Sequence, residues 1–216
     1  MQIPRYRFIP SEVAYLIIGM NVAVYAIEVL VGPDLIIYNF GFIPALVRMG
    51  KNVYSFLTSI YLHVDPFHIF FNMFALWTFG PECERQIGGR KFTALYHVAG
   101  FVGNLLHFAI DPASFTIVVG ASGAVFGIMA AFAVLFPLRP IFVFFFLPLL
   151  LPAAFLAILY FLIELVYEFS GLNPYVAHWA HIGGLLAGFA FALVYKAVSR
   201  HAKQRSKEVK IVWVEG

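Results

Sequence analysis

Apolar residues in this chain neither alternate nor fall into stripes; they form long uncharged runs separated by short polar breaks. Six such runs cover roughly residues 11–31, 66–81, 91–110, 117–137, 153–169 and 176–197. About 20 apolar residues carry a helix across a bilayer, so the pattern predicts six transmembrane helices. A further apolar stretch lies between the fourth and fifth runs and is punctuated by Pro140, Pro148 and Pro152. Proline removes a backbone donor and breaks helix geometry. This stretch therefore reads as a membrane-embedded turn leading into the fifth span, with a seventh span as the competing reading. Residues 32–52 hold Pro33, Pro44 and too many apolar side chains for a solvated loop. They are expected to lie against the outer leaflet, partly inserted.

Composition narrows the class. Of 216 residues, 62% are hydrophobic and only 12% charged, too few charges to cover the surface of a water-soluble domain. The fold class is all-α: a polytopic helical membrane protein. Asn21 and Glu28 interrupt the first run and no small-residue cleavage site follows it, which argues against a removable signal peptide. The single cysteine, Cys83, excludes an internal disulfide, a cysteine metal cluster and a redox pair. No repeat, low-complexity tract or nucleic-acid motif is present.

Charge orients the chain. With both ends inside, Arg5, Arg7, Arg85, Arg90, Lys91, Arg139 and the six basic residues from Lys196 to Lys210 face the cytosol, against Arg48 and Lys51 outside. Twelve against two is a strong positive-inside asymmetry, and a seventh span would export the densest basic cluster. Residues 1–198 then form the six-span domain. Residues 199–216 form a basic, mobile cytosolic tail that either touches anionic headgroups or is a solvated end without a role in chemistry.

Polar residues inside the spans carry the candidate chemistry. Hydroxyls and imidazoles are costly in a bilayer unless a partner or a water-filled cavity satisfies them. Spans two, four and six all run inward, and each has its unusual residues at the outer end: His63, His68 and Asn72; Ser122; His178 and His181. At 1.5 Å per residue, His68, Ser122 and His181 fall within about 10 Å of the outer boundary, the pattern of a shared cavity. His68 and Asn72, four apart, share a helical face. Gly120, Gly123 and Gly127 around Ser122, and Gly184 and Gly188 below His181, would let spans four and six approach closely. Each signal alone has a plainer reading, as a small-residue packing face or a histidine bonded to a carbonyl. Phe126, four residues beyond Ser122, is placed to stack on the His181 ring.

Three motifs, His63-x4-His68-x3-Asn72, Gly120-Ala-Ser122-Gly123-x3-Gly127 and Ala177-His178-Trp179-Ala180-His181-x2-Gly184-x3-Gly188, occur in order on spans two, four and six. In this the sequence resembles the rhomboid family of intramembrane serine proteases over roughly residues 50–195. The stretch from Gly80 to Gly88, with Glu84, resembles the family's connection after span two. The resemblance implies a rhomboid-like bundle in which Ser122 is the nucleophile and His181 its general base, a dyad without a carboxylate. It implies that His68, Asn72 and the Ser122 backbone N–H stabilise the oxyanion, with Gly120, Gly123, Phe126, Gly184 and Gly188 in support. No metal or cofactor is implied. The substrates would be single-pass membrane proteins cut near the outer face of a cell membrane, with the bilayer as the other partner and no nucleic acid. Two positions depart from the family pattern: Tyr54-Ser55 stands where many members have Trp-Arg, and Phe126 where tyrosine is frequent.

The rival from another class is a haem or metal carrier using His63, His68, His178 and His181. Against it, His63 and His68 are about 140° apart on a helix, and no cysteine or glutamate is expected to complete a zinc site. No pair of broken helices recurs as in a transporter. A non-catalytic membrane chaperone of the same fold is the other alternative.

Overall fold

The computed structural model describes residues 11–145, 147–173 and 176–212. Among these are nine α-helices: α1 (Glu12–Val31), α2 (Pro33–Phe40), α3 (Pro44–Arg48), α4 (Ser55–Thr58), α5 (Pro66–Ile87), α6 (Gly89–Ile110), α7 (Ser122–Leu135), α8 (Ala153–Ser170) and α9 (His178–Val212). A 3-10 turn, Ser59–Tyr61, continues α4, and strands β1 (Pro140–Phe145) and β2 (Leu147–Pro152) form an antiparallel ribbon. Prolines open α2, α3 and α5, where a missing N–H is without cost. The Asp65 carboxylate caps α5 by accepting from the His68 backbone N–H at 2.8 Å.

The centre of the bundle is α7. Ten of its 14 residues are buried, against α5, α6, α8 and α9. Small residues make this possible: a Cβ on Gly184 would collide with the Gly123 carbonyl, and one on Gly188 with the Gly127 carbonyl. The other flank of α9 meets α6 in the same way, Gly183 lying against Gly103 and Val102. By contrast α1 and α8 turn Leu16, Leu30, Ile158, Val166 and Phe169 outward, the surface that lipid accepts without cost. Glu84, 2% exposed, reaches from α5 to accept from the N–H groups of Val13 (3.1 Å) and Ala14 (2.8 Å) at the start of α1. A carboxylate there satisfies two orphan donors and complements the helix dipole.

Among the described residues four helices are long and apolar enough to cross a membrane: α1, α6, α8 and the His178–Ala202 part of α9. The count of six is therefore not reached by length and composition. The fourth run is shortened because its first residues are not helical. Val118 pairs with Phe42 as an isolated bridge, Gly120 takes φ +127°, and the helix begins only at Ser122. At 1.5 Å per residue the remaining α7 spans about 21 Å.

Three further expectations change. The proline-punctuated stretch is a β-ribbon, with Pro140 opposite Pro152 at its open end and the exposed Phe142 opposite the exposed Leu150. A two-stranded ribbon has only edges, where proline is tolerated. Residues 80–87 are the last turns of α5, not a connection; the chain breaks at Gly88, φ +86°. The final helix continues past residue 198 to Val212, so the tail is helical over that part; residues 213–216 lie outside the described residues.

Candidate active site

Ser122 opens α7, and the turn before it explains its position. Gly120 needs its positive φ and its missing side chain, since a Cβ there would lie 2.7 Å from Nε2 of His68. The Gly120 N–H donates to the Ser59 carbonyl at 3.0 Å, and Phe42 and Val118 exchange two backbone hydrogen bonds. The segment between α1 and α5 thus braces the extended residues that deliver the serine. The ladder of α7 begins with the Val125 N–H on the Ala121 carbonyl, so the N–H groups of Ser122, Gly123 and Ala124 face out of the helix end, where anionic groups are favoured.

His181 sits at the start of α9 and reaches Ser122 across the glycine contact. Its Nε2 lies 2.7 Å from Oγ of Ser122. Phe126 stacks on the imidazole, ring centroids 4.6 Å apart and planes at 19°, as its spacing from Ser122 leads one to expect. Both Ser122 and His181 are partly exposed, so the pair opens to one end of the bundle.

From α5, His68 packs against Gly120. Asn72 is buried one turn below, its amide donating to the His68 carbonyl at 3.1 Å. His63 precedes α5, so the helical-phase argument that separated it from His68 does not hold: the rings adjoin, centroids 5.1 Å apart. Fully buried, His63 receives support at its backbone N–H from the Glu28 carboxylate of α1, at 3.2 and 3.3 Å. Burial first, and the neighbouring His68 second, push its imidazole down to about 3. Tyr54 and Ser55 lie at the start of α4, in the connection between α1 and α5. The Tyr54 hydroxyl donates to the Asn39 carbonyl at 3.0 Å and Ser55 is buried.

The sequence reading overlooked Glu164. It projects from α8 and is 6% exposed. Its Oε2 lies 2.6 Å from Nδ1 of His178 and 3.1 Å from Nδ1 of His181. A glutamate thus stands beside two of the four histidines, where none was expected, with one atom from each of these three residues within 4.8 Å of the others. The signal was present: an ionisable side chain inside an apolar, membrane-length helix is a functional hypothesis by default, and Glu164 lies deeper in α8 than its only other charged residue, Glu168. The loop after α8 leads directly to the His181 helix. Its Gly171 takes φ +67°, while Pro174 and Tyr175 lie outside the described residues.

Comparison with known proteins agrees with the motifs. The sequence model of the Rhomboid domain matches residues 50–197. "RHOMBOID-like protein 6, mitochondrial" of Arabidopsis thaliana is 33% identical over 149 residues, 68% of this chain and 45% of that protein. "Rhomboid protein 1, mitochondrial" of Saccharomyces cerevisiae is 28% identical over 211 residues, 91% of this chain and 57% of that protein. "Rhomboid protease GluP" of Bacillus subtilis is 34% identical over 146 residues, 67% of this chain and 26% of that protein. The aligned region thus spans between 26% and 57% of these relatives' own length. With the matched domain running from residue 50 to 197 and enclosing all three motifs, the chain belongs to the rhomboid family.

Proposed function

We propose that the protein is an intramembrane serine endopeptidase, with Ser122 as nucleophile and His181 as general base. One observation carries the reading: the 2.7 Å approach of His181 Nε2 to Ser122 Oγ, made between two apolar helices. A serine is a weak nucleophile until a base takes its proton. As Oγ adds to the scissile carbonyl, its proton passes to Nε2. That proton then goes to the leaving amine, and water, deprotonated in turn by His181, hydrolyses the acyl-enzyme. The oxyanion is held by the N–H groups at the start of α7, the His68 ring and the second hydrogen on Asn72 Nδ2, the first being on the His68 carbonyl.

The substrates in this reading are transmembrane segments of single-pass proteins, cut near the outer face. The chain crosses a cell membrane six times with both ends in the cytosol, α5 and α7 completing the count. The positive-inside asymmetry supports that orientation. The test is labelling of purified protein with a fluorophosphonate, alongside cleavage of a single-pass model substrate. Wild type should form one adduct, on Ser122, and Ser122→Ala should neither label nor cleave, with helical content unchanged. Removing such a nucleophile typically costs several orders of magnitude. Cleavage retained by Ser122→Ala would sink the assignment.

A further inference from the structure

A carboxylate on an apolar, lipid-facing helix is expensive, yet α8 carries Glu164 turned inward and nearly fully buried. Its partners show what it does there. His178 presents Nδ1 to the carboxylate at 2.6 Å and Nε2 to the Asn173 carbonyl at 3.3 Å. Both nitrogens of that ring face oxygen atoms, and Nδ1 holds the carboxylate from one side. Tyr167, one turn further along α8, stacks on His178 with centroids 5.6 Å apart and fixes its plane. The same carboxylate oxygen then faces His181 Nδ1 at 3.1 Å. That second contact is close but poorly aligned, and His181 Nδ1 makes no formed hydrogen bond in this state. Catalytic hydrogen bonds are commonly slack before substrate arrives and tighten in the reacting complex.

We infer that Glu164 is a positioning residue for His181, anchored by His178, which converts the serine–histidine pair into a Ser122–His181–Glu164 relay. The carboxylate accepts from Nδ1–H of His181. This fixes the tautomer in which Nε2 has a free lone pair for the Ser122 proton, and it stabilises the imidazolium formed on transfer. Glu164 itself takes no proton. The inference rests on the Ser122–His181 reading above. The other titratable groups close enough to act on the His181 charge are His178 on its own helix, His68 of α5 and His107 of α6.

The experiment compares Glu164→Gln, Glu164→Asp and Ser122→Ala with wild type in fluorophosphonate labelling rate, kcat, KM and Tm. Glu164→Gln keeps volume and removes the charge. It should lower kcat and the labelling rate on the order of 10²- to 10⁴-fold with KM nearly unchanged, and Glu164→Asp should recover part of the loss. In wild type, ¹⁵N resonances assigned through a His181→Gln variant should show neutral His181 as the Nδ1–H tautomer. A Glu164→Gln enzyme labelling at the wild-type rate would overturn the proposal, as would a neutral Nε2–H tautomer at His181, even if Glu164→Gln failed to fold. Activity lost to a chelator and restored by Zn²⁺ would also overturn it, showing that the three groups hold a cation instead. Cleavage by Ser122→Ala would remove the underlying reading; an inactive Ser122→Ala beside a fully active Glu164→Gln would remove the relay alone.

Discussion

Asn72 and His68 sit one helical turn apart, and the structure ties each of them down by a different means. Asn72 gives one amide hydrogen to its own helix, while His68 is wedged against the backbone of Gly120. Neither adds a permanent charge, and both adjoin the turn that delivers Ser122. His68→Ala and Asn72→Ala should each lower kcat by about 10²–10³, the usual cost of one oxyanion donor, and leave measurable turnover. Variants matching wild type in kcat would remove that role. His63 behaves differently. Its ordinary value is 6.5 and the folded protein pushes it to about 3. Between those values the unfolded chain binds the extra proton, so stability falls as pH drops through this window. Tm should decline from pH 6.5 toward 3, and decline less steeply in His63→Phe; identical slopes would show that other groups set the acid limit. Ser122, His68 and His181 were legible in the sequence because polar groups stand out in apolar runs and because periodicity reports depth. Glu164 was not read, since its importance lies in a contact with a helix fourteen residues away that no local spacing encodes. His63 was misread because helical phase was extended past Pro66, where there is no helix.

At the scale of elements, the decisive contact is α9 lying between α6 and α7. Gly184 and Gly188 have no room for a methyl against α7, and Gly183 has little against α6. Overpacking a close contact typically costs about 1–3 kcal/mol, more where backbone is struck. Gly188→Ala should therefore lower Tm and reduce activity, and Gly188→Val should do so severely. Gly19 in α1 has nothing within 4 Å of a built Cβ. Gly19→Ala should leave activity intact and stabilise by about 0.5–1 kcal/mol through helix propensity. If Gly188→Ala melted like wild type, the α7–α9 packing described here would be wrong. The spacing of Gly184 and Gly188 revealed one flank of α9. The α6 flank was hidden because Gly103, which meets Ala180 and Gly184 there, lies in a run that carries no candidate chemistry. The ribbon from Pro140 to Pro152 was equally hidden, since a short apolar run bounded by prolines fits a strand pair as well as a re-entrant turn.

Across the whole molecule the two ends of the bundle differ in kind. Ser122, His68 and His181 come from the N-terminal turns of α7, α5 and α9, so these three helices run in parallel away from the site. Their other ends are stitched by polar contacts: Lys196 Nζ donates to the Val134 carbonyl at 2.6 Å, the Tyr195 hydroxyl to the Gln86 carbonyl at 2.7 Å, and Arg139 pairs with Glu82. The basic residues that give the positive-inside asymmetry cluster at this second end, as Arg85, Lys91, Arg139, Lys196 and Arg200. In the proposed orientation that cluster faces the cytosol and the serine lies near the opposite leaflet, where water would reach it from outside. The charge pattern supplies the direction of that proposal, and the parallel course of α5, α7 and α9 puts their polar residues at the end opposite the basic cluster. Single cysteines at Asn173, beside the site, and at Ala202, beyond the basic end, both lie at exposed positions. In a Cys83→Ser background they should respond oppositely to an impermeant maleimide added to intact cells. Asn173→Cys should label and Ala202→Cys should label only after the membrane is opened. The reverse pattern would invert the topology and put the site on the cytosolic side, where a cut near the outer boundary could not be made.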